Sequence, residues 1–353
     1  MPEISVIVPI YNVESYIAQC LKSIVNQTFS DIEILCIDDC GNDNSMNIVK
    51  DYAANDTRIK IIKLETNKGP GTARNAGLKS ALGRYISCID PDDYVELNML
   101  ELAYTKLKET GFDSVWINIK VFDNNKKRLL KDDYYNKYYN QYTYNTINIT
   151  PNNINDFPVN SWNKLYSLDF IKKNNVTWSD RLLYEDLEFY YRFYTKSEKV
   201  YFIDIPLYVY RLRDNSILQN EKMDNSNRKD IFKVIEKIYI YLNEEKIFEK
   251  YKNPFIGMLV QSIERSYNIN YIMPTVIDLL KKIDFPCGYE KNDFHYFLKY
   301  FRKYSQSSKL KRFFYRCYYN FIYFILTKTI PICKYRKKYR KKYKKYVFRV
   351  CLY

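Results

Sequence analysis

Ile86-Ser87-Cys88-Ile89-Asp90-Pro91-Asp92-Asp93-Tyr94 is a short apolar run that ends in three carboxylates within four residues, around a proline. The apolar part reads as a buried strand, and the proline with its acids marks the strand's end. Carboxylates this close repel one another unless a cation sits among them. An all-oxygen set at the mouth of a sheet suits a divalent metal carrying a phosphorylated substrate. The same residues also fit a plain turn, in which Asp92 or Asp93 caps a helix expected from about Leu97. The cluster alone leaves both readings open.

Upstream, β-branched and apolar runs at Ile4 to Val8 (closed by Pro9), Ile32 to Ile37 and Ile59 to Leu64 read as three more buried strands, and Tyr85 to Ile89 is the fourth. Helical spacing predicts helices over 13–27, 45–54, 72–81 and 97–109, before a fifth strand at Ser114 to Phe122. Strands alternating with helices of about 10–15 residues predict an α/β fold with a mostly parallel sheet covered by helices on both faces. Ligands bind such sheets outside the carboxyl ends of the strands. Pro9 to Asn12, Asp38 to Asn44, Asn67 to Asn75 and Asp90 to Asp93 are therefore expected along one edge.

Downstream the pattern weakens. Residues 123–160 are rich in Asn, Tyr and Lys and suit an insertion or an acceptor-side loop. Order returns at Ser161-Trp162-Asn163-Lys164-Leu165-Tyr166. Glu185 and Asp186 open a helix of about three turns, then Lys199 to Ile203 and Leu207 to Leu212 read as two strands split by Pro206. From about Arg228 the chain reads as helical, with breaks near Pro254, Pro274 and Pro286. The expected organisation is a catalytic domain at 1–217, a helical C-terminal region at 218–308 and a basic aromatic tail at 309–353.

The 353 residues are 46% hydrophobic, enough for a real core. Eight cysteines without a CxxC pair and a single histidine, His295, disfavour a zinc site or a disulfide frame. The N-terminus enters a strand without a leader pattern, so the expected address is the reducing cytoplasm. The net charge of +15 is local: Lys309 to Tyr353 holds 15 Lys or Arg and no acid, and the first 308 residues balance 41 basic groups against 41 acidic. Any polyanion would be met by the tail.

Four constellations carry chemistry. Asp38 and Asp39 can accept hydrogen bonds from a ribose or a base, or form an Asx turn. In Asn67 to Asn75, two glycines and a proline bring backbone close to a ligand, and Arg74 in the first helical turn favours an anion. Neither GxxxxGK with Ser or Thr nor GxGxxG is present, which disfavours a simple ATPase or dehydrogenase. Glu185 and Asp186 either complement a helix dipole or, walled by Tyr184, Leu187, Phe189 and Tyr190, form a general base with a raised pKa. Arg211, followed by Asn215 and Ser216, either closes over a diphosphate or ends a strand.

In order and spacing, Ser5 to Asn12, Ile37 to Ser45, Asn67 to Gly77, Ile89 to Asp93, Trp162 to Tyr166, Tyr184 to Asp186 and Tyr210-Arg211 together resemble family 2 glycosyltransferases of the GT-A fold, including those of bacterial capsule and lipooligosaccharide synthesis. The resemblance covers roughly residues 3–217. It implies a nucleotide-sugar donor, most often a UDP-sugar, a Mg²⁺ or Mn²⁺ ion, and transfer with inversion. Carried over, Pro9, Tyr11 and Asn12 would line the nucleoside pocket, Asp39 would hold the base, and Asn67, Gly69 and Arg74 would lie near the nucleotide. Asp90 would face the ribose and the donor sugar. Asp92 would bind the metal, with Asp90 and Asp93 beside it. Asp186 would be the base, with Glu185 as its substitute, and Arg211 would meet the diphosphate. Cys40 departs from the small residue usual after the paired acids. The QxxRW motif of processive members is absent, so one sugar per encounter is expected.

In the tail, 11 uncharged residues between Arg316 and Lys328 fall short of the ~20 that a spanning helix needs. Tyrosines recur at helical spacing among nine basic residues from Lys334 to Lys345, which suits an amphipathic segment lying on the anionic cytoplasmic face of a membrane. That address fits a glycan or lipid-linked acceptor. The competing classes are a non-catalytic membrane or nucleic-acid binding module on the same scaffold, disfavoured by the neutral body, and a sugar nucleotidyltransferase, disfavoured by the lack of a basic glycine-rich loop after the first strand.

Overall fold

The structure, a computed structural model, describes residues 1–130, 145–213 and 229–264 together with Thr275 and Leu279. The tail at 309–353, the expected breaks at Pro274 and Pro286, and Asn215 and Ser216 lie outside the described residues. The chain divides into two units, residues 1–254 and 255–353.

Strands β1 (Ile4–Ile10), β2 (Ile32–Asp38), β3 (Ile59–Lys63) and β4 (Tyr85–Cys88) alternate with helices α1 (Ile17–Val25), α2 (Ser45–Asn55) and α3 (Gly69–Ser80). The strands pair in parallel in the order β3-β2-β1-β4. β1 and β2 are buried at every residue, as continuous apolar strands covered on both faces must be. β1 runs on through Pro9, which the sequence placed at its end. The backbone nitrogen of Pro9 faces the β4 side, where the ladder has stopped at the Ile7–Cys88 pair, so the missing N–H leaves no bond unmade.

The chain continues through β5 (Tyr94–Val95), α4 (Met99–Thr110), β6 (Ser114–Asp123), β7 (Arg128–Leu130), β8 (Thr146–Asn148) and β9 (Lys164–Ser167). Then come α5 (Leu168–Lys173), α6 (Glu185–Tyr194), β10 (Lys199–Leu212), α7 (Asp230–Glu244) and α8 (Phe248–Glu264). All ten strands join one sheet, extended beyond β4 by β9, β6, β10 and β5. β9 is inserted antiparallel between β4 and β6, and β6 and β10 return to parallel pairing. β7 pairs with β6 and β8 with β10, so the segment read as an insertion also contributes to the sheet.

Three boundaries differ from the sequence expectation for physical reasons. α3 starts at Gly69 rather than at Thr72, because Pro70 is preorganised for a first helical turn. β10 is continuous across Pro206, where two strands were expected; register shifts around Pro206 absorb the proline. α8 passes through Pro254 without breaking, and the Pro254 carbonyl accepts a hydrogen bond from Asn155 Nδ2 at 2.7 Å. Within the first unit α7 packs on α6: Tyr241 Oη lies 2.7 Å from Thr195 Oγ1, and the Arg192 guanidinium stacks over the Tyr241 ring.

At the end of the sheet away from the acidic loops, Glu33 is buried in β2. Its Oε1 accepts from Ser5 Oγ (2.6 Å) and the Leu82 N–H (2.7 Å), and its Oε2 from Lys60 Nζ (2.7 Å). Burial raises its pKa, but Lys60, Ser5 and the Leu82 N–H outweigh burial and hold it below the usual carboxylate value. With the folded pKa depressed, Glu33 stabilises above the unfolded value of about 4.3, and that contribution is lost as pH falls through the folded pKa. Glu33→Ala strands the buried Ser5 hydroxyl, at a cost of about 1–3 kcal/mol, and should lower the urea midpoint at pH 7 by more than it does near pH 3.

Candidate active site

The loops after β1, β2 and β4 and the entry to α3 converge at one edge of the sheet. Tyr11 is 47% exposed, and Asn12, in the left-handed region at φ 49°, accepts the Asn42 N–H at Oδ1 (2.9 Å). Pro9 lies in the strand end just before them. The Asp39 N–H donates to the Ile10 carbonyl at 3.0 Å, and the Asp39 carboxylate accepts the N–H groups of Lys68 (2.8 Å) and Gly69 (2.9 Å). Burial raises the Asp39 pKa against the pull of those two N–H groups. Asp39 thus ties the β1 and β2 ends to the α3 entry, and a base would share oxygens already engaged. Asn67 Oδ1 also accepts the Gly69 N–H (3.1 Å), and Gly69 takes φ +82°. Cys40 adopts φ 58°, a left-handed conformation that glycine takes at least cost; its Sγ–H donates to the Leu64 carbonyl.

Arg74 stands on α3, 3% exposed, with its guanidinium at the junction of two acidic groups. Its Nη2 lies 2.8 Å from Asp90 Oδ1, while Nη1 lies 2.5 Å from Glu185 Oε1 and 3.6 Å from Asp186 Oδ1. The carboxylates after β4 and those opening α6 therefore face one another across a single cation. Gly71, one turn earlier, makes room for this: a Cβ there would sit 2.3 Å from the Ser179 carbonyl and 3.0 Å from Glu185 Cβ.

On the β4 side, Asp90, Asp92 and Asp93 bring one oxygen each to within 4.8 Å of one another. Asp93 is turned inward, accepting from Tyr208 Oη (2.8 Å) and the Arg211 N–H (2.7 Å), and burial with its acidic neighbours pushes its pKa well up. Asp90 is raised to about 6 by burial, against Arg74 and with Asp92. Asp90 gives one oxygen to Arg74, and Asp92 gives Oδ2 to Arg213 at 2.7 Å. Asp90 Oδ2 and Asp92 Oδ1 are left as a hard, anionic pair whose mutual repulsion a divalent cation would relieve, so this set fits Mg²⁺ or Mn²⁺.

Arg211, expected to close over a diphosphate, is instead 6% exposed and spent on protein groups. It donates to the Asp92 carbonyl (2.7 Å), Asn124 Oδ1 (3.0 Å) and Gln19 Oε1 (2.6 Å), and packs against the rings of Tyr16, Tyr94 and Phe122. The cation paired with Asp92 is Arg213, two residues further along the chain and unmarked by any motif.

On the α6 side, Tyr184 enters at φ 65° and Glu185 is pushed up to about 7, by burial first and by the Asp186 charge, against Arg74. The apolar wall expected around both acids is polar at Asp186: Oδ1 accepts from Ser161 Oγ (2.5 Å) and Trp178 Nε1 (3.2 Å), and Oδ2 from the Ser161 N–H (3.3 Å). Phe189 stands behind, stacked on Trp178 with ring centroids 4.0 Å apart. The Asp186 side chain is 18% exposed against 10% for Glu185. Ser161 and Trp178 were not singled out as site residues, since nothing in a loop sequence marks which side chain will reach a distant acid. Beside the α3 entry a cavity of about 370 Å³ is lined by Asn67, Lys68, Gly69, Arg181, Leu183 and Asp230, among others.

The fold has the form of a GT-A glycosyltransferase. The profile of Glycosyl transferase family 2 matches residues 5–172. Glycosyltransferase GlyG of Streptococcus pneumoniae serotype 4 is 32% identical over 243 residues, 66% of this chain and 78% of GlyG. Matches to longer relatives span as little as 18% of their length. Among solved structures, Staphylococcus aureus TarS 1-349 in complex with UDP-GlcNAc superposes with TM-score 0.65 at 24% identity, covering 80% of each chain. The mannosyltransferase PcManGT from Pyrobaculum calidifontis, in complex with GDP-Man and Mn²⁺, gives 0.51 at 12% identity over 85% of each. The chain belongs to glycosyl transferase family 2 and is a glycosyltransferase.

Gly71→Ala should displace the start of α6 from Arg74. The expected result is a loss of about 1–3 kcal/mol of stability in denaturant titration, with a larger proportional loss of transfer in a radiolabelled sugar assay.

Proposed function

We propose that the protein moves one sugar at a time from a nucleotide-sugar, a UDP-sugar in the first instance, to a hydroxyl of a glycan or lipid-linked acceptor in bacterial surface polysaccharide synthesis. The reaction inverts the anomeric centre. The observation that carries this reading is the single Arg74 cation joining Asp90 to Glu185 and Asp186, which sets donor-side and acceptor-side acids on one cleft.

Asp90 and Asp92 would hold a divalent cation, which would supply charge neutralisation at the leaving diphosphate. Pro9, Tyr11 and Asn12, with Asp39, Asn67 and Gly69, frame the nucleoside side. Arg213, paired with Asp92, is placed to follow the phosphates. Arg74 positions the acids, since its charge is already matched by carboxylates. Asp186 takes the acceptor proton: it is the more exposed of the two α6 acids, and among the described residues its Oδ2 carries only the Ser161 N–H. Glu185 is the less suited substitute, being buried and bound to Arg74.

The tail at 309–353 supports a peripheral address on the cytoplasmic face of the membrane. Among the described residues no helix is long and apolar enough to cross a membrane. Nucleic acid is not an expected partner.

Asp186→Asn should lower kcat by roughly 10²–10⁴-fold and leave UDP-sugar binding by calorimetry nearly unchanged; normal turnover would mean that another group takes the proton. Asp92→Asn should abolish the Mn²⁺ dependence of UDP binding, and unaltered dependence would move the metal elsewhere. Flotation with liposomes containing anionic lipid should require residues 309–353, whereas retention on oligonucleotides through the same residues would favour the binding-module class.

A further inference from the structure

Trp162-Asn163-Lys164-Leu165 lies outside the roles assigned so far, yet it contains a fully buried lysine. Lys164 on β9 is fully buried, and none of the ion pairs among the described residues includes it. Burial brings its amine down to about 7, with the Asp186 charge opposing. An amine in such a place is expensive unless a specific bond requires it. Packing alone would be served better by Met or Leu.

The Lys164 Nζ donates to the Asn160 carbonyl and sits 3.4 Å from Asn163 Oδ1, over the face of the Trp116 ring. The Asn160 carbonyl belongs to the same peptide unit as the Ser161 N–H, and that N–H reaches Asp186 Oδ2. Ser161 Oγ, 2.5 Å from Asp186 Oδ1, also receives Trp178 Nε1 at 3.2 Å. A donor on the carbonyl polarises the peptide and strengthens the N–H at its other end. Through its own main chain Lys164 is also tied to the opposite wall. Its carbonyl accepts Ser87 Oγ at 3.0 Å on β4, the strand that delivers Asp90.

We infer that Lys164 and Ser161 are positioning residues for the transfer step: Lys164 clamps the Asn160–Ser161 peptide, and Ser161 grips both oxygens of Asp186 so that the carboxylate is aimed at the acceptor hydroxyl. The clamp rests on the reading of Asp186 as the proton acceptor. It gives the Trp-Asn-Lys-Leu motif a chemical purpose, since the lysine at its centre links the wall bearing the donor-side acids to the loop that holds the base. Small displacements of a reacting group cost rate steeply, so the effect should fall on turnover.

The test compares Ser161→Ala, Lys164→Met and Asp186→Asn in the full-length enzyme, measuring kcat, donor KM and melting temperature. Ser161→Ala and Lys164→Met should each lower kcat about tenfold or more while donor KM stays within about twofold, and Ser161→Thr, which keeps the hydroxyl, should recover part of the rate. Ser161→Ala removes one small buried group and carries the test if Lys164→Met fails to fold. Unchanged kcat in the folded variants, or a loss of kcat matched by an equal loss of donor affinity, would overturn the clamp. Normal turnover in Asp186→Asn would instead overturn the assignment of the base on which it rests.

Discussion

The Arg74 guanidinium is the interaction on which the remainder of the site depends. It is buried, carries a fixed charge, and is shared among Asp90, Glu185 and Asp186, residues 16, 111 and 112 positions away along the chain. Burying such a group costs several kcal/mol, and breaking a buried pair leaves uncompensated charge of similar cost. The donor-side loop and the start of α6 are therefore not free to drift apart. Three further contacts serve this placement: Asp39 holds the α3 entry, Gly71 lets α6 approach, and Lys164 links the loop around Ser161 to β4.

The carboxylates of the cleft are divided by environment. Asp93 faces inward and spends both oxygens on Tyr208 and Arg211, so it braces the turn. Asp90 and Asp92 each give one oxygen to an arginine, and a hard cation is chemically suited to the remaining pair. Glu185, buried and raised to about 7, is bound to Arg74, while Asp186 is the more exposed of the two and is held by the neutral donors Ser161 and Trp178. Similar acids assigned to different work by burial and partners are a familiar arrangement in active sites.

Much of this was legible in the chain. Continuous Ile and Val runs announced β1 and β2, and acids placed directly after strands announced the binding edge, because those patterns are local consequences of burial and turn chemistry. The antiparallel insertion of β9 was not legible, since strand direction within a sheet is decided by tertiary pairing. The continuity of β10 across Pro206 was hidden for the same reason: a bulge can absorb a proline that looks like a stop. At the site, Arg74 and the paired acids stood out by residue type and spacing. Arg211 was marked by its place after Tyr210 and Arg213 by nothing, because which of two alternate arginines finds Asn124, Gln19 and an aromatic cage depends on neighbours remote in sequence. Trp178 and Ser161 carried no signal, being ordinary loop residues until the fold brings them to Asp186.

The most direct test of the central claim is Arg74→Lys, which keeps the charge and removes the fork that reaches acids on both sides. A lysine ammonium cannot span Asp90 and Glu185 as the guanidinium does. The expected result is a folded protein that still binds UDP but transfers sugar at about one hundredth of the wild-type rate or less, the scale of a misplaced reacting group. Wild-type turnover in Arg74→Lys would show that the two acidic groups hold their places without the shared guanidinium, and would contradict the account.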